Sequence, residues 1–132
     1  MHTPPLILIA DDEENFREVM TKELASLGFD ARTAASGAEA VKKSVELMPD
    51  LILMDIRMPG EMNGVDAALR IKEDPATKDI KIAFLSSADN PWPAVVGDRA
   101  DVSKAFGMED FISKSEDLDV FVRKVKEFLG AA

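Results

Sequence analysis

The sequence predicts an α/β protein built on a doubly wound, five-stranded parallel sheet with helices on both faces. Three observations carry this. LILIA (6–10), LILM (51–54) and IKIAFL (80–85) are near-continuous apolar runs rather than alternating ones, as expected of strands covered on both sides. Segments with apolar residues at helical spacing separate them. Strands and helices that alternate along a chain imply right-handed crossovers, which bring every strand end to one edge of the sheet.

The elements follow in order. After the first strand, Phe16, Val19, Met20, Leu24 and Leu27 recur at helical spacing as far as Gly28, a suitable C-terminal cap. FDARTAA (29–35) reads as the second strand. Ser36 and Glu39 make an S-x-x-E capping box that opens a helix through Leu47, and Pro49 prevents its continuation. LILM is the third strand, Met58-Pro59-Gly60 breaks the chain, and Val65 to Glu73 is a helix ended by Asp74-Pro75. IKIAFL is the fourth strand. Residues 89–98 read as a loop, followed by a short helix that Asp98 caps and Gly107 closes. Asp110 to Ser113 supplies a short fifth strand. Ser115 is expected to cap a last helix whose Leu118, Phe121, Val122, Val125 and Phe128 face the core.

With 132 residues the chain is sized for one domain, taken as 1–132 with a core of about 5–129. Sixteen Lys and Arg against 25 Asp and Glu give a net charge of -9, which opposes direct binding to a nucleic-acid backbone. No cysteine is present, so disulfides and thiolate metal sites are excluded. No run approaches the ~20 apolar residues of a membrane helix, and the amino terminus is unlike a secretory signal, so the expectation is a cytoplasmic protein without membrane insertion. His2, the one histidine, is expected to sit in a frayed terminus.

The carboxyl edge of such a sheet is where ligands bind. Asp11 and Asp12 follow the first strand there and Asp55 ends the third. A single aspartate at a strand end is adequately explained as a turn or capping residue. Three together repel one another unless a cation lies among them, and an oxygen-only ligand set favours Mg²⁺. Ser86-Ser87 and Lys114 end two further apolar runs at the same edge. A cation, an ammonium and a hydroxyl around one point suit a phosphoryl group, and an aspartate can serve as its nucleophile.

ILIADDEEN, DLILMDIRMPG, AFLSSAD and DFISK, in that order, resemble the receiver domain of two-component response regulators over nearly the whole chain. The resemblance implies a CheY-like fold with strand order 2-1-3-4-5. It implies Asp55 as phosphoacceptor, Asp11 and Asp12 as the acidic pocket with Asp12 the direct Mg²⁺ ligand, and the backbone carbonyl of Arg57 as a further ligand. Ser87 matches the switch hydroxyl, Lys114 the family lysine and Phe111 the switch aromatic. Arg57 and Asp89 match the positions that flank the path of the attacking water and tune phosphate lifetime. The implied partners are a sensor histidine kinase or histidine phosphotransfer protein and a downstream target protein, reached through the face of the fourth helix, fifth strand and fifth helix. A stand-alone receiver without an output domain, monomeric or weakly dimeric, is expected, and it catalyses only its own phosphorylation and dephosphorylation.

Three departures from the family pattern stand out. Ser115 replaces the usual proline after the lysine, so a trans Lys114-Ser115 bond is expected, a cis one costing ~3 kcal/mol. MPGEMNG carries one extra residue, and the stretch from Asn90 to Asp98, with Pro91-Trp92-Pro93, is long for the family. Two other readings compete. A haloacid dehalogenase-type phosphotransferase also places an Asp after an apolar strand, but needs a second acid where Arg57 stands. A phosphorylation-independent receiver-like interaction module would be expected to have lost pocket residues that are present here.

Overall fold

The computed structural model describes residues 2–58, 60, 62–86, 111–114 and 116–130. Five strands, β1 (Leu6–Ala10), β2 (Asp30–Ala34), β3 (Leu51–Asp55), β4 (Lys81–Ser86) and β5 (Phe111–Ser113), form one parallel sheet in the order β2-β1-β3-β4-β5. Helices α1 (Glu14–Ser26), α2 (Gly37–Leu47) and α3 (Gly64–Glu73) and a C-terminal helix (Leu118–Phe128) cover it. The helix expected between Asp98 and Gly107, the Pro91-Trp92-Pro93 loop, Ser87, Asp89 and Ser115 lie outside the described residues.

Side chains alternate across a strand, so one apolar run feeds two cores. Leu8, Ala10, Ile52, Met54, Ile82 and Phe84 point to one face, where Ala40 of α2 and Ala67, Ala68 and Ile71 of α3 meet them. Ile7, Ile9, Leu51, Leu53, Ala83 and Leu85 point to the other, under Met20 and Leu24 of α1 and Phe121 and Val125 of the C-terminal helix. All of these side chains are buried, which accounts for the lack of polar alternation in the sequence.

The helix ends follow their local chemistry. Gly28 has φ 95°, and the bonds Phe29 N to Leu24 O (3.1 Å) and Gly28 N to Ala25 O (3.0 Å) complete a Schellman motif after α1. Ser36 Oγ accepts from Glu39 N at 3.1 Å, while Glu39 Oε1 reaches past the cap to Ala35 N at 2.7 Å. The expected capping box at Ser36 is thus only half made, whereas a complete one, not foreseen from the sequence, opens α3. Asn63 Oδ1 accepts from Asp66 N at 2.9 Å and Asp66 Oδ2 from Asn63 N at 3.4 Å. On the open edge of the sheet, Lys43 Nζ donates to the Thr33 carbonyl.

Several expectations are corrected. Val19 is 58% exposed and does not join the core, because it is turned about 100° from Met20 around the helix. Leu27 lies beyond the last turn and is exposed. The C-terminal helix starts at Leu118 with Asp117 at its N-cap, so Leu118 is exposed rather than core-facing. The amino terminus is not frayed at His2. Its Nε2 lies 3.1 and 3.0 Å from the carbonyl oxygens of Leu47 and Met48, and its backbone N–H approaches the Asp50 carboxylate, which also accepts from Leu6 N at 2.8 Å. Carbonyls left over at the end of α2 give the ring its partners.

Candidate functional site

Parallel strands bring Asp11, one residue past β1, next to Asp55, the last residue of β3. One carboxylate oxygen from each of Asp11, Asp12 and Asp55 lies within 4.8 Å of the others. Asp11 and Asp55 are buried at 0% and 3% exposure, whereas Asp12 faces solvent. β5 pairs with β4 and so delivers Lys114, just past its end, to the same point.

Among the described residues, the lysine is the one cation paired with these carboxylates. Its Nζ lies 2.6 Å from Asp11 Oδ2, 2.9 Å from Glu13 Oε1 and 3.4 Å from Asp55 Oδ2. The first is an ion contact off the direction of a well-formed hydrogen bond, since Asp11 Oδ2 has no such bond of its own. Asp11 Oδ1 accepts from Glu13 N at 2.8 Å. Asp55 Oδ1 is buried and has no hydrogen-bond partner among the described residues.

Four carboxylates and one ammonium leave the cleft short of positive charge. Burial raises the pKa of Asp55 from 3.8 to about 7, with Asp11 and Asp12 adding to the rise and Lys114 opposing it. Asp11 is raised too, chiefly by burial, against the offsetting contacts with Lys114 and the Glu13 N–H. Burial alone would depress Lys114, but the surrounding acids outweigh it and hold the ammonium above its ordinary value. A divalent cation fits this donor set. It would relieve the repulsion among the three clustered carboxylates, and every side-chain ligand is a hard oxygen.

The backbone beneath the site is tightly set. A Cβ on Gly64 would stand 1.8 Å from the Asp55 carbonyl oxygen, so only glycine fits where α3 starts. Gly64 N also donates to Ile56 O at 2.9 Å. Arg57 follows β3 at the rim with its side chain exposed. Phe111 begins β5. Ser87 and Asp89 belong to the part of the edge outside the described residues.

Asp11, Asp12, Asp55 and Lys114 are thus brought together as the sequence predicts. Three further residues were not singled out from it. Glu13 pairs with Lys114, the Phe16 ring lies 4.9 Å from Nζ, and Arg17 Nη1 donates to Asp11 O at 2.7 Å. Glu13 was visible as one more acid in DDEEN, whereas Phe16 and Arg17 are ordinary members of a helix in the sequence.

The family model of the response regulator receiver domain matches residues 7–126. The chain belongs to this family. The match and the strand order set aside the haloacid dehalogenase alternative. Response regulator PleD of Caulobacter vibrioides is 30% identical to this receiver over 118 residues, 89% of the chain and 24% of that protein. The DNA-binding dual master transcriptional regulator RpaA of Synechocystis is 28% identical over 127 residues, 95% of the chain and 49% of that protein. The receiver therefore spans half or less of these curated relatives. Among solved structures, the receiver domain of sensor histidine kinase PA1611 from Pseudomonas aeruginosa superposes with a TM-score of 0.79 at 28% identity, covering 96% of this chain and 98% of that one. In that structure a magnesium ion is coordinated in the active-site cleft. Chemotaxis protein CheY4 of Vibrio cholerae, at 22% identity and a TM-score of 0.80 over 94% of this chain and 98% of that one, shares the fold. No helix among the described residues is long and apolar enough to cross a membrane.

Proposed function

We propose that this receiver accepts a phosphoryl group on Asp55 from a phosphohistidine of a sensor kinase or phosphotransfer protein, in a Mg²⁺-dependent reaction, and that the modified state changes its binding to a downstream protein. The observation that carries the reading is the asymmetry of Asp55. Its Oδ2 is held by Lys114 while its buried Oδ1 has no partner among the described residues. A carboxylate anchored through one oxygen presents the other as a nucleophile.

An Oδ oxygen of Asp55 forms the new O–P bond as the N–P bond of the donor breaks, its electron pair going to the imidazole nitrogen. Asp12 and Asp11, with the Arg57 carbonyl, would hold the metal beside that oxygen. Bound there, Mg²⁺ would neutralise charge on the phosphoryl oxygens and lower the repulsion between them and the carboxylates. Lys114 supplies a further positive charge, already within 3.4 Å of Asp55. Ser87 would donate to a phosphoryl oxygen and Phe111 would follow it inward, carrying the change to the face beside β5. Arg57 and Asp89 would flank the line of water attack and set the lifetime. A cytoplasmic location follows from a kinase donor.

A phosphorylation-independent interaction module is the other reading, and the full set of pocket acids with Lys114 weighs against it. Intact-protein mass after incubation with acetyl phosphate, with and without Mg²⁺, decides between them. One Mg²⁺-dependent phosphoryl adduct, absent in Asp55→Asn, is the expected result. An unmodified chain under conditions that label a control receiver would overturn the proposal.

A further inference from the structure

Lys114 is held more firmly on the β1–α1 side of the cleft than beside Asp55. Its Nζ is 2.6 Å from Asp11 and 2.9 Å from Glu13, against 3.4 Å from Asp55. Asp11 belongs to the cluster of three carboxylates, but Glu13 does not. Glu13 occupies the N-cap of α1 and makes no capping hydrogen bond there. Its carboxylate instead crosses the mouth of the cleft to a lysine 101 positions away in the chain.

The reach is set by the backbone. Glu13 N donates to Asp11 Oδ1 at 2.8 Å, which fixes the start of the Glu13 side chain against the same aspartate whose other oxygen touches the lysine. One turn along α1, the Phe16 ring lies 4.9 Å from Nζ. Asp11, Glu13 and Phe16 therefore cradle the ammonium from one side.

We infer that Glu13 is a positioning residue that draws the Lys114 ammonium toward the β1–α1 side of the cleft, so that phosphoryl transfer requires the lysine to exchange the Glu13 carboxylate for phosphoryl oxygens. This rests on the reading of Asp55 as phosphoacceptor. Of the three acids on Lys114, Glu13 is the one whose contact is given up most cheaply. Its side chain is 62% exposed, so water solvates the released carboxylate, whereas Asp11 at 0% has no such replacement. Phosphorylation then leaves a free carboxylate at the amino-terminal end of α1, a charge rearrangement on the surface produced by the lysine's movement.

Glu13→Gln keeps the side-chain length and removes the charge. Glu14→Gln, an exposed neighbour whose carboxylate has no ion pair among the described residues, makes the same change in net charge. In the metal-free protein the Lys114 Nζ resonance should shift in Glu13→Gln and stay in place in Glu14→Gln. Phosphorylation by acetyl phosphate with Mg²⁺ should be about threefold faster in Glu13→Gln, the size of one exposed ion pair, and near the wild-type rate in Glu14→Gln. Equal acceleration in both variants would reduce the effect to bulk charge and overturn the inference, as would an unchanged or slower Glu13→Gln. An unmodified wild-type chain would sink the phosphoacceptor reading as well, so the two failures are distinguishable.

Discussion

Asp55→Asn should stabilise the metal-free protein at pH 8 and do much less at pH 5. Burial lifts the Asp55 pKa from its ordinary 3.8 to about 7 in the folded chain. Since the folded state binds the carboxyl proton more tightly than the unfolded one, stability declines as pH climbs from about 4 to about 7, and the full penalty stands above that range. The rise to about 7 corresponds to ~4 kcal/mol at pH 8, and less than half of it has accrued at pH 5. Asparagine escapes this penalty, and the attraction of Lys114, 3.4 Å away, needs no separate subtraction because it already lowers the Asp55 value. The gain is then ~4 kcal/mol at pH 8, or on the order of 10 °C in Tm for a domain of this size, and less than half as much at pH 5. Lys114, whose pKa is raised, remains charged at both values and drops out of the comparison. Calorimetry of both proteins in EDTA at the two pH values gives the answer. A variant no more stable than wild type at pH 8, or a gain equal at both pH values, would refute the argument that crowded, buried charge dominates this cleft.

Mg²⁺ at a hundredfold excess over its Kd should stabilise the wild-type chain by ~2.7 kcal/mol, and Asp12→Asn should need far more Mg²⁺ for the same thermal shift. Gly64→Ala should cost more than ~3 kcal/mol by urea denaturation, because its Cβ would fall 1.8 Å from the Asp55 carbonyl oxygen and α3 would have to move as a body. Leu24→Ala, at a fully buried position, should cost ~3 kcal/mol, while Val19→Ser on the same helix should change stability by less than ~0.5 kcal/mol in the same assay.

The fold was legible because the signals behind it are local and redundant. LILIA and LILM bury every residue, and IKIAFL every one but Lys81, as strands covered on both faces require. The convergence of Asp11, Asp12, Asp55 and Lys114 was equally legible, because topology fixes where a parallel strand ends. Orientation around a helix was less so. Val19 is as apolar as its neighbours, and its exposure depends on where α1 rests on the sheet. Glu13 was hidden for a different reason: an acid at a helix start is ordinary, and its partner lies across the sheet at the end of β5. Asn63 and Asp66 complete a capping box that Ser36 and Glu39 leave half made, but N-x-x-D is a weaker sequence signature than S-x-x-E.

Lys43 has a consequence beyond the hydrogen bond it makes. β2 is the last strand on its side, with Asp30 and Ala34 turned toward β1 through Asp30 N to Pro5 O and Asp11 N to Ala34 O. By the alternation of a strand, the peptide groups of Ala31 and Thr33 then face outward, where a foreign strand could add to the sheet. The ammonium of Lys43 sits on one of those carbonyls, with Glu39 3.8 Å away as its counter-charge. An intruding chain would have to evict a solvated cation before it could make its first backbone bond. The guard works through the height of an encounter barrier, so it protects against self-assembly in crowded solution while adding little to the stability of the isolated fold.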